Sequence, residues 1–442
     1  MAAWRWWQER HLHPETPFLD FVMINRLAEL LVRTLPQLRR ALRATYPFVF
    51  VDEFQDTTIA QFSFLDTTFG TNAVVTAVGD RKQRIMGFAG ALADAVPRFI
   101  ATFSARECPL IWNFRSTDPL VALQHVIAGK LDPATVRAES RVEAEPAGEP
   151  VSLWRFPNLA REAAVVAEWI ARDIEQSART AADFAFVARQ KVADLEPRLR
   201  QALAQHGIRL RNDDAAVGKM RLQDLLKNDV TRLLLGVLRL AAQPDGLGQV
   251  WLETSALLRQ VRGAVGDDTA IRHVHDELSQ LAKNTRAWLA DNPVDAADPG
   301  AAVDEVVGSI GADALAGYVR SAARGEEVEV ILDAFQARLA AVAGQAENWT
   351  AAFDEFESAD AVALMTVHKS KGLEYHTVFF LGLDDDQWWA YARDREESTS
   401  AFFVGLSRAA HRLIFTTAST YTQRITELFE MLRAAGVPEH HW

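Results

Sequence analysis

The sequence predicts an α/β protein, a doubly wound parallel sheet whose chain is interrupted by a long helical insertion. Three observations carry this expectation. Short apolar runs end in acids, FVFV at 48–51 before Asp52 and Glu53 and VVTAV at 74–78 before Gly79 and Asp80, and such runs read as buried parallel strands with polar carboxyl ends. VSLWRF at 151–156, a helical pattern near 160–176 and DFAFVA at 183–188 then follow in β, α, β order. The pattern turns almost purely helical from 219 to about 350, and strand character returns with AVALMTV (361–367), TVFFLGL (377–383) and RLIFT (412–416). One sheet is therefore expected to start before the insertion and to be completed after it.

Residues 24–43 place Leu27, Leu30, Leu31, Leu35, Leu38 and Leu42 at helical spacing with arginines between them, so an amphipathic helix is expected, interrupted at Pro36. The insertion carries LLLGVLRLAA at 233–242 and helical segments near 270–290 and 326–343, separated by loop-like QPDGLG (243–248) and DNPVDAADPG (291–300). No internal repeat or low-complexity tract interrupts this order.

The 442 residues are 49% hydrophobic and 24% charged, enough to bury sizeable cores in two to four domains. A single cysteine, Cys108, excludes an internal disulfide and any thiolate zinc cluster and suits a reducing compartment. No apolar run has the length of a membrane span, and the start MAAWRWWQERHLHP lacks the apolar core of a secretion signal, so a soluble cytoplasmic protein without a membrane partner is expected. The net charge of −12 is unevenly placed: residues 264–360 hold 19 Asp and Glu against 6 Lys and Arg, a balance of −13, which leaves +1 for the rest. Whole-chain charge therefore does not exclude a nucleic-acid partner. The basic clusters Arg81, Lys82, Arg84 and Lys369, Lys371 suit either phosphate contacts or solvated turns.

Five segments carry chemistry. In FVFVDEFQDTT (48–58), a strand delivering two adjacent carboxylates can place Asp52 near magnesium while Glu53 polarises a water, the Walker B arrangement. Acids after a strand equally cap the next helix, but Gln55 and Asp56 in the same turn sharpen the signal. In AVGDRKQRIMGFAGA (77–91), the amide of Gln83 can sense a γ-phosphate, and Met86 and Phe88 suit stacking on a base, or core packing. LIWNFRSTDPL (110–120) offers Arg115, with Ser116 and Thr117 as helix caps. In ALMTVHKSKGLEYHTVFFLGL (363–383), the polar loop of Thr366, His368, Lys369, Lys371 and Gly372 can hold a nucleic-acid backbone, and Glu374 can accept from a ribose hydroxyl. FFVGLSRAAHRLIFT (402–416) supplies Arg408, and Arg115 with Arg408 look like paired fingers for a phosphoryl transition state, although either alone also fits a surface ion pair.

The order DEFQDT, GDRKQRIMGFAGA, NFRST, TVHKSKGLE, VGLSRA resembles motifs II to VI of the UvrD/Rep/PcrA branch of superfamily 1 DNA helicases, over about residues 18–442. The resemblance implies RecA-like lobes that close on ATP and Mg2+ and step 3′ to 5′ along single-stranded or partly duplex DNA. It implies Asp52 as magnesium ligand, Glu53 for water activation, Gln83 for γ-phosphate sensing and Arg115 and Arg408 as phosphate fingers. Gly372 and Glu374 are implied at the nucleotide, and Met86, Phe88, Thr366, His368 and Lys369 towards DNA. Residues 1–103 are then expected to form a partial first lobe with the Walker B strand, 104–212 with 355–442 the second lobe, and 213–354 the helical insertion.

The departures matter as much. The family's glutamine-containing adenine clamp and GxxxxGKS/T phosphate loop are absent from these residues; Gly218-Lys219 is followed by Met220 and has Asp213 where the first glycine belongs. Met86, Phe88 and Ala89 stand where the family usually has tyrosine, tryptophan and arginine, and Arg81 and Lys82 where acids are common. Three readings follow: the carboxyl-terminal portion of a helicase whose phosphate loop lies on another polypeptide or upstream, a catalytically inactive DNA-binding or partner-binding module, or a structural relic. The joint presence of Asp52, Glu53, Gln83, Arg115, Glu374 and Arg408 favours the first, since no fold requirement demands all six. An open sheet edge in the partial lobe is expected to be covered by Trp4, Trp6 and Trp7 or by a partner chain.

Overall fold

The computed structural model describes residues 19, 21–71, 73–143, 148–243, 245–264, 268–321 and 327–442; the expected cover by Trp4, Trp6 and Trp7 lies outside them. Leucines at helical spacing form α1 (Phe21–Thr34), and Pro36 opens a new helix, α2 (Pro36–Thr45), because a ring nitrogen without a proton suits a first turn. There follow β1 (Phe48–Val51), α3 (Ile59–Phe69), β2 (Val74–Ala77), α4 (Ala95–Phe103), β3 (Trp112–Asn113), α5 (Asp118–Leu131), β4 (Glu139–Ser140) and β5 (Val151–Arg155). The chain then runs through α6 (Leu159–Gln176), β6 (Phe184–Ala188), α7 (Val192–Ala204), β7 (Leu210–Asn212) and a hairpin of β8 (Ala216–Val217) and β9 (Met220–Arg221).

The helical region comprises α8 (Leu222–Lys227), α9 (Asp229–Ala242), α10 (Gly248–Arg262), α11 (Asp268–Asp291), α12 (Pro299–Ile310), α13 (Ala312–Ser321), α14 (Val328–Ala343) and α15 (Trp349–Glu357). After it come β10 (Val362–Thr366), β11 (Tyr375–Leu381), α16 (Arg395–Leu406), β12 (Ala409–Thr417), α17 (Thr426–Ala434) and β13 (Glu439–His441). None of the described helices is long and apolar enough to cross a membrane.

Two compact units divide the chain: one takes residues to Arg155, Ser370–His376 and Gly382–His441, the other Phe156–Lys369, Thr377–Leu381 and Trp442. In the first, β1 and β2 pair in parallel from Phe48↔Val74 to Val51↔Ala77, as expected. The expected burial holds on one face only. Val49, Val51, Val75 and Ala77 lie on a core of Phe54, Phe62, Leu65, Phe69 and Phe99 supplied largely by α3 and α4, whereas Phe48, Phe50 and Val74 are 66%, 75% and 58% exposed. Strand side chains alternate, so a layer on one side buries every second residue. The same unit holds the parallel strands β13, β5 and β12, in that order.

In the second unit Thr377–Leu381 of β11 pairs with β6, β6 with β10, and β10 with β7, all parallel. Phe184–Ala188 of β6 is wholly buried, which is why its run is unbroken in apolar character. The helices gather around Leu233, Leu238, Phe335 and Phe353 in one core. Gly236 lets α9 approach α10 closely, since a Cβ there would lie 2.1 Å from Thr254 Oγ1. At the end of α15, Arg338 donates to the carbonyls of Glu355 and Phe356, and Arg211 to those of Glu357 and Ser358. Burial pushes the Arg338 guanidinium below its ordinary pKa.

Candidate functional site

The end of β1 is a tight turn built by three side chains. Phe54 drops into the core, edge-on to Phe99 at 5.0 Å, and so anchors a single 3-10 turn over Phe54–Asp56. Entry to that turn puts Glu53 in left-handed backbone, at φ 50°, where a residue with a Cβ is strained. Asp52 stays exposed, with Oδ1 accepting the Glu53 N–H at 2.8 Å. Gln55 is buried; its amide nitrogen donates to Glu53 Oε2, and its Oε1 accepts the Asp80 N–H at 2.9 Å. This amide ties the end of β1 to the residues after β2. Gly79 is required for that approach, because a Cβ there would lie 2.5 Å from Gln55 Oε1. Thr58 and Gln61 form a reciprocal cap at the start of α3 and close the turn.

Asp80 organises the next turn. Its carboxylate accepts from Lys82 N–H at 3.1 Å and from Gln83 Nε2 at 3.2 Å, and it pairs with Lys82 Nζ at 2.7 Å. Gln83 is thereby aimed at Arg408, whose Nη2 donates to Gln83 Oε1 at 3.3 Å. Arg408 follows α16 and is only 2% exposed. It also donates to Val404 O at 2.9 Å, Ser407 Oγ at 2.8 Å and Leu373 O at 3.4 Å. Burial, then the like charge of Arg115, push its pKa down to about 10; Glu53 and Glu374 pull the other way.

Arg115 leaves β3 through a turn in which Asn113 Oδ1 accepts the N–H groups of Arg115 and Ser116 at 2.9 and 2.8 Å. Its guanidinium donates to Glu374 Oε2 at 2.8 Å and to Ser407 O at 3.3 Å. The structure thus brings the two arginines, Gln83, Glu53 and Glu374 into one cluster. Ser116 and Thr117 depart from the expected capping: Ser116 Oγ is buried and donates to Ala409 O at 2.8 Å, and Thr117 stands at the N-cap of α5 with no side-chain cap bond. Proline in the first turn of α5, which needs no N–H satisfied, removes one demand for such a cap.

Lys371, which the sequence offers as a phosphate contact in the polar loop, is also a member of this cluster. Its ammonium pairs with Glu53 Oε2 at 3.0 Å and with Asp56, and the side chain is 16% exposed. The signal was present, since Lys371 lies one residue before Gly372, whose φ of 81° makes the sharp turn into Glu374. The Gly218-Lys219 pair, by contrast, sits in the β8–β9 hairpin and opens no helix.

The residues expected at nucleic acid fall in both units. Phe88 is 72% exposed in a 3-10 turn, so it is not core, and Met86 is 37% exposed. In the second unit, Thr366 ends β10 and its Oγ1 accepts the Lys369 N–H at 3.4 Å. His368 Nδ1 lies 3.4 Å from Arg189 Nη1. Lys369 Nζ is engaged by both oxygens of Asp224 at 2.6 and 2.8 Å.

Among the described residues no three His, Cys, Asp or Glu side chains converge as metal ligands. A lone exposed carboxylate such as Asp52 still fits magnesium, a hard cation that keeps waters and takes its other oxygens from bound phosphates.

The chain is similar to known proteins over most of its length. The family model for the UvrD/REP helicase N-terminal domain matches residues 8–104, and that for the UvrD-like helicase C-terminal domain matches 336–420. DNA helicase II of Escherichia coli is 27% identical over 91% of this chain and 60% of its own length. DNA helicase II of Salmonella typhimurium is 26% identical over the same shares, and that of Haemophilus influenzae 24% over 89% and 59%. The chain spans about 60% of the length of these relatives. Both family models fall in the order that the motifs imply, so residues 8–104 and 336–420 are similar to the N-terminal and C-terminal domains of the UvrD/Rep-like helicases of superfamily 1.

Proposed function

We propose that this chain supplies motifs II to VI of an ATP-dependent motor that moves 3′ to 5′ along single-stranded DNA, together with a phosphate-loop segment not contained in these residues. The observation that carries the reading is the cluster of Gln83, Arg115 and Arg408 beside the Asp52-Glu53 pair, in which a buried cation is held at neutral oxygens. Arg408 alone among these cations has no carboxylate partner and donates only to neutral oxygens, so it is the group here that suits a phosphate.

Asp52 would hold magnesium, which would offset the charge of a bound nucleotide's phosphates. Glu53 orients and deprotonates the attacking water once Lys371 is drawn away from it. Arg115 and Arg408 stabilise charge on the transferring group, and Gln83 reports its presence to the segment that carries Met86 and Phe88. Gly372 and Glu374 form the loop that receives the nucleotide, with Glu374 exchanging its pairing to Arg115 for a ribose hydroxyl. Thr366, His368 and Lys369 with Met86 and Phe88 contact the DNA strand. In this reading residues 1–103 act as a partial first lobe, 104–212 with 355–442 as the second RecA-like lobe, and 213–354 as the insertion. The exposed face of Phe48, Phe50 and Val74 is where a complementing segment would pack.

The test is DNA-stimulated ATPase of the chain alone and after addition of a family-type amino-terminal segment bearing the phosphate loop. Hydrolysis is expected only in the complemented sample, and Glu53→Gln should abolish it while nucleotide binding persists. Robust hydrolysis by the 442 residues alone, lost in Glu53→Gln, would overturn the need for complementation. A second reading, a nucleotide-independent DNA-binding or partner-binding module, is favoured by the pairs Lys371–Glu53 and Arg115–Glu374, which satisfy the charged groups without a nucleotide. It predicts no hydrolysis in either sample.

A further inference from the structure

We propose that Asp224 competes with the phosphate backbone of single-stranded DNA for Lys369, so that the first turn of α8 sets the affinity of the loop after β10 and lets go when a strand binds. This rests on the reading of Thr366, His368 and Lys369 as a DNA contact and adds an internal competitor to it.

The geometry is that of a substituted anion site. The Lys369 ammonium meets both oxygens of Asp224, at 2.6 and 2.8 Å, much as it would meet two oxygens of a phosphate. The loop is held there by a second, independent link, the amide of Gln223 donating to Lys369 O at 3.1 Å, and Gln223 is itself buried with its N–H on Asp213 O. Lys369 therefore keeps its place when the ion pair opens. The pair is open to water, with side chains 25% and 46% exposed, so it is worth only about 0.2–1 kcal/mol and is replaceable. Arg189, beside His368, is a further cation near Lys369's end of this loop. While Asp224 holds Lys369, the loop presents one effective positive charge fewer to a polyanion. Freed, Lys369 neutralises a phosphate and releases about 0.7 counterion from a single strand.

The experiment measures anisotropy of a fluorescein-labelled oligothymidylate with the full chain over a series of salt concentrations. Asp224→Asn keeps size and removes the competing charge, and should bind about twofold to fivefold more tightly at low salt, with a salt slope steeper by up to about 0.7. Asp224→Glu should bind like the native chain, and Lys369→Ala more weakly. In the double variant Asp224→Asn/Lys369→Ala the gain should vanish. Unchanged or weaker binding by Asp224→Asn, with Lys369→Ala weakened, would overturn the competition while leaving the loop as a DNA contact. A gain that survives in the double variant would also overturn it, because it would be a general charge effect. Native-like binding by Lys369→Ala would overturn the DNA reading of the loop and the competition with it. Hydrogen exchange of the native chain serves independently of any variant: amides of Leu222–Lys227 should exchange faster with the oligonucleotide bound, and unchanged or slower exchange would overturn the proposal.

Discussion

Replacing Arg408 by methionine removes a charge from a buried site while keeping much of the volume, and the structure fixes what should follow. A guanidinium held at about 10, well below its ordinary value, is disfavoured in the folded chain by about 3 kcal/mol. Against this, the carbonyls of Val404 and Leu373, the Ser407 hydroxyl and the Gln83 amide lose a donor, a loss of about 1 kcal/mol each where water cannot replace it. Arg408→Met should therefore lie between about 1 kcal/mol less stable and about 3 kcal/mol more stable near neutral pH. Arg408→Ala also opens a cavity and should fall below Arg408→Met by about 2 kcal/mol or more. Urea unfolding followed by tryptophan fluorescence measures both.

The sign with pH is determined. Because the folded chain gives up this proton before the unfolded one, stability relative to Arg408→Met should be flat below about pH 10 and rise above it. Pyrophosphate, an anion the cluster can hold, should stabilise the native chain and not the methionine variant. A loss of more than about 2 kcal/mol in Arg408→Met would refute the view that this cation is held at a cost in the absence of an anion.

Three further outcomes are expected. Gly79→Ala should cost about 1–3 kcal/mol in thermal melts, because its Cβ displaces the Gln55 amide from Asp80, whereas Gly90→Ala, at a φ of 86° with open space around it, should cost only about 1–2 kcal/mol of backbone strain. Gly236→Ala should lower the melting temperature through overpacking against Thr254 by about 1–3 kcal/mol, and Thr254→Ala should recover part of the loss in the double variant. The combined His368→Ala and Phe88→Ala variant should bind single-stranded oligonucleotide at low salt more weakly than the native chain, by about 1–3 kcal/mol for the lost stacking face; equal affinity would remove both residues from the DNA contact.

Much of this architecture was legible because its signals are local. Pro36, the run DFAFVA and the apolar strands AVALMTV and TVFFLGL each announce their element within a few residues, and the structure places them as expected. The five polar motifs were legible for the same reason, since each sits in one turn. What the sequence concealed depends on partners distant along the chain. Nothing local distinguishes the two faces of FVFV, so the exposure of Phe48 and Phe50 became visible only once α3 and α4 were seen on one side. Lys371 reads as one donor of a polar loop until Asp56, 315 positions away, is found beside it. Asp224 carries no motif at all, and its role is set by a lysine 145 positions later.

The left-handed backbone at Glu53 has a consequence for mutational scanning of this chain. Two separate requirements would act on one codon there, the carboxylate of the proposed chemistry and the tolerance of φ near 50° that the turn needs. Substitutions should sort on two axes: Gly and Asn keep the turn and lose the carboxylate, whereas Val, Ile and Thr strain the turn as well as losing the charge. Aspartate alone retains both a carboxylate and a tolerance of left-handed backbone, with a shorter reach. A selection that reads only abundance should therefore accept Gly and Asn and reject Val, while one that reads turnover should reject all three. The residues on which the two screens disagree would separate what position 53 does for folding from what it does for chemistry.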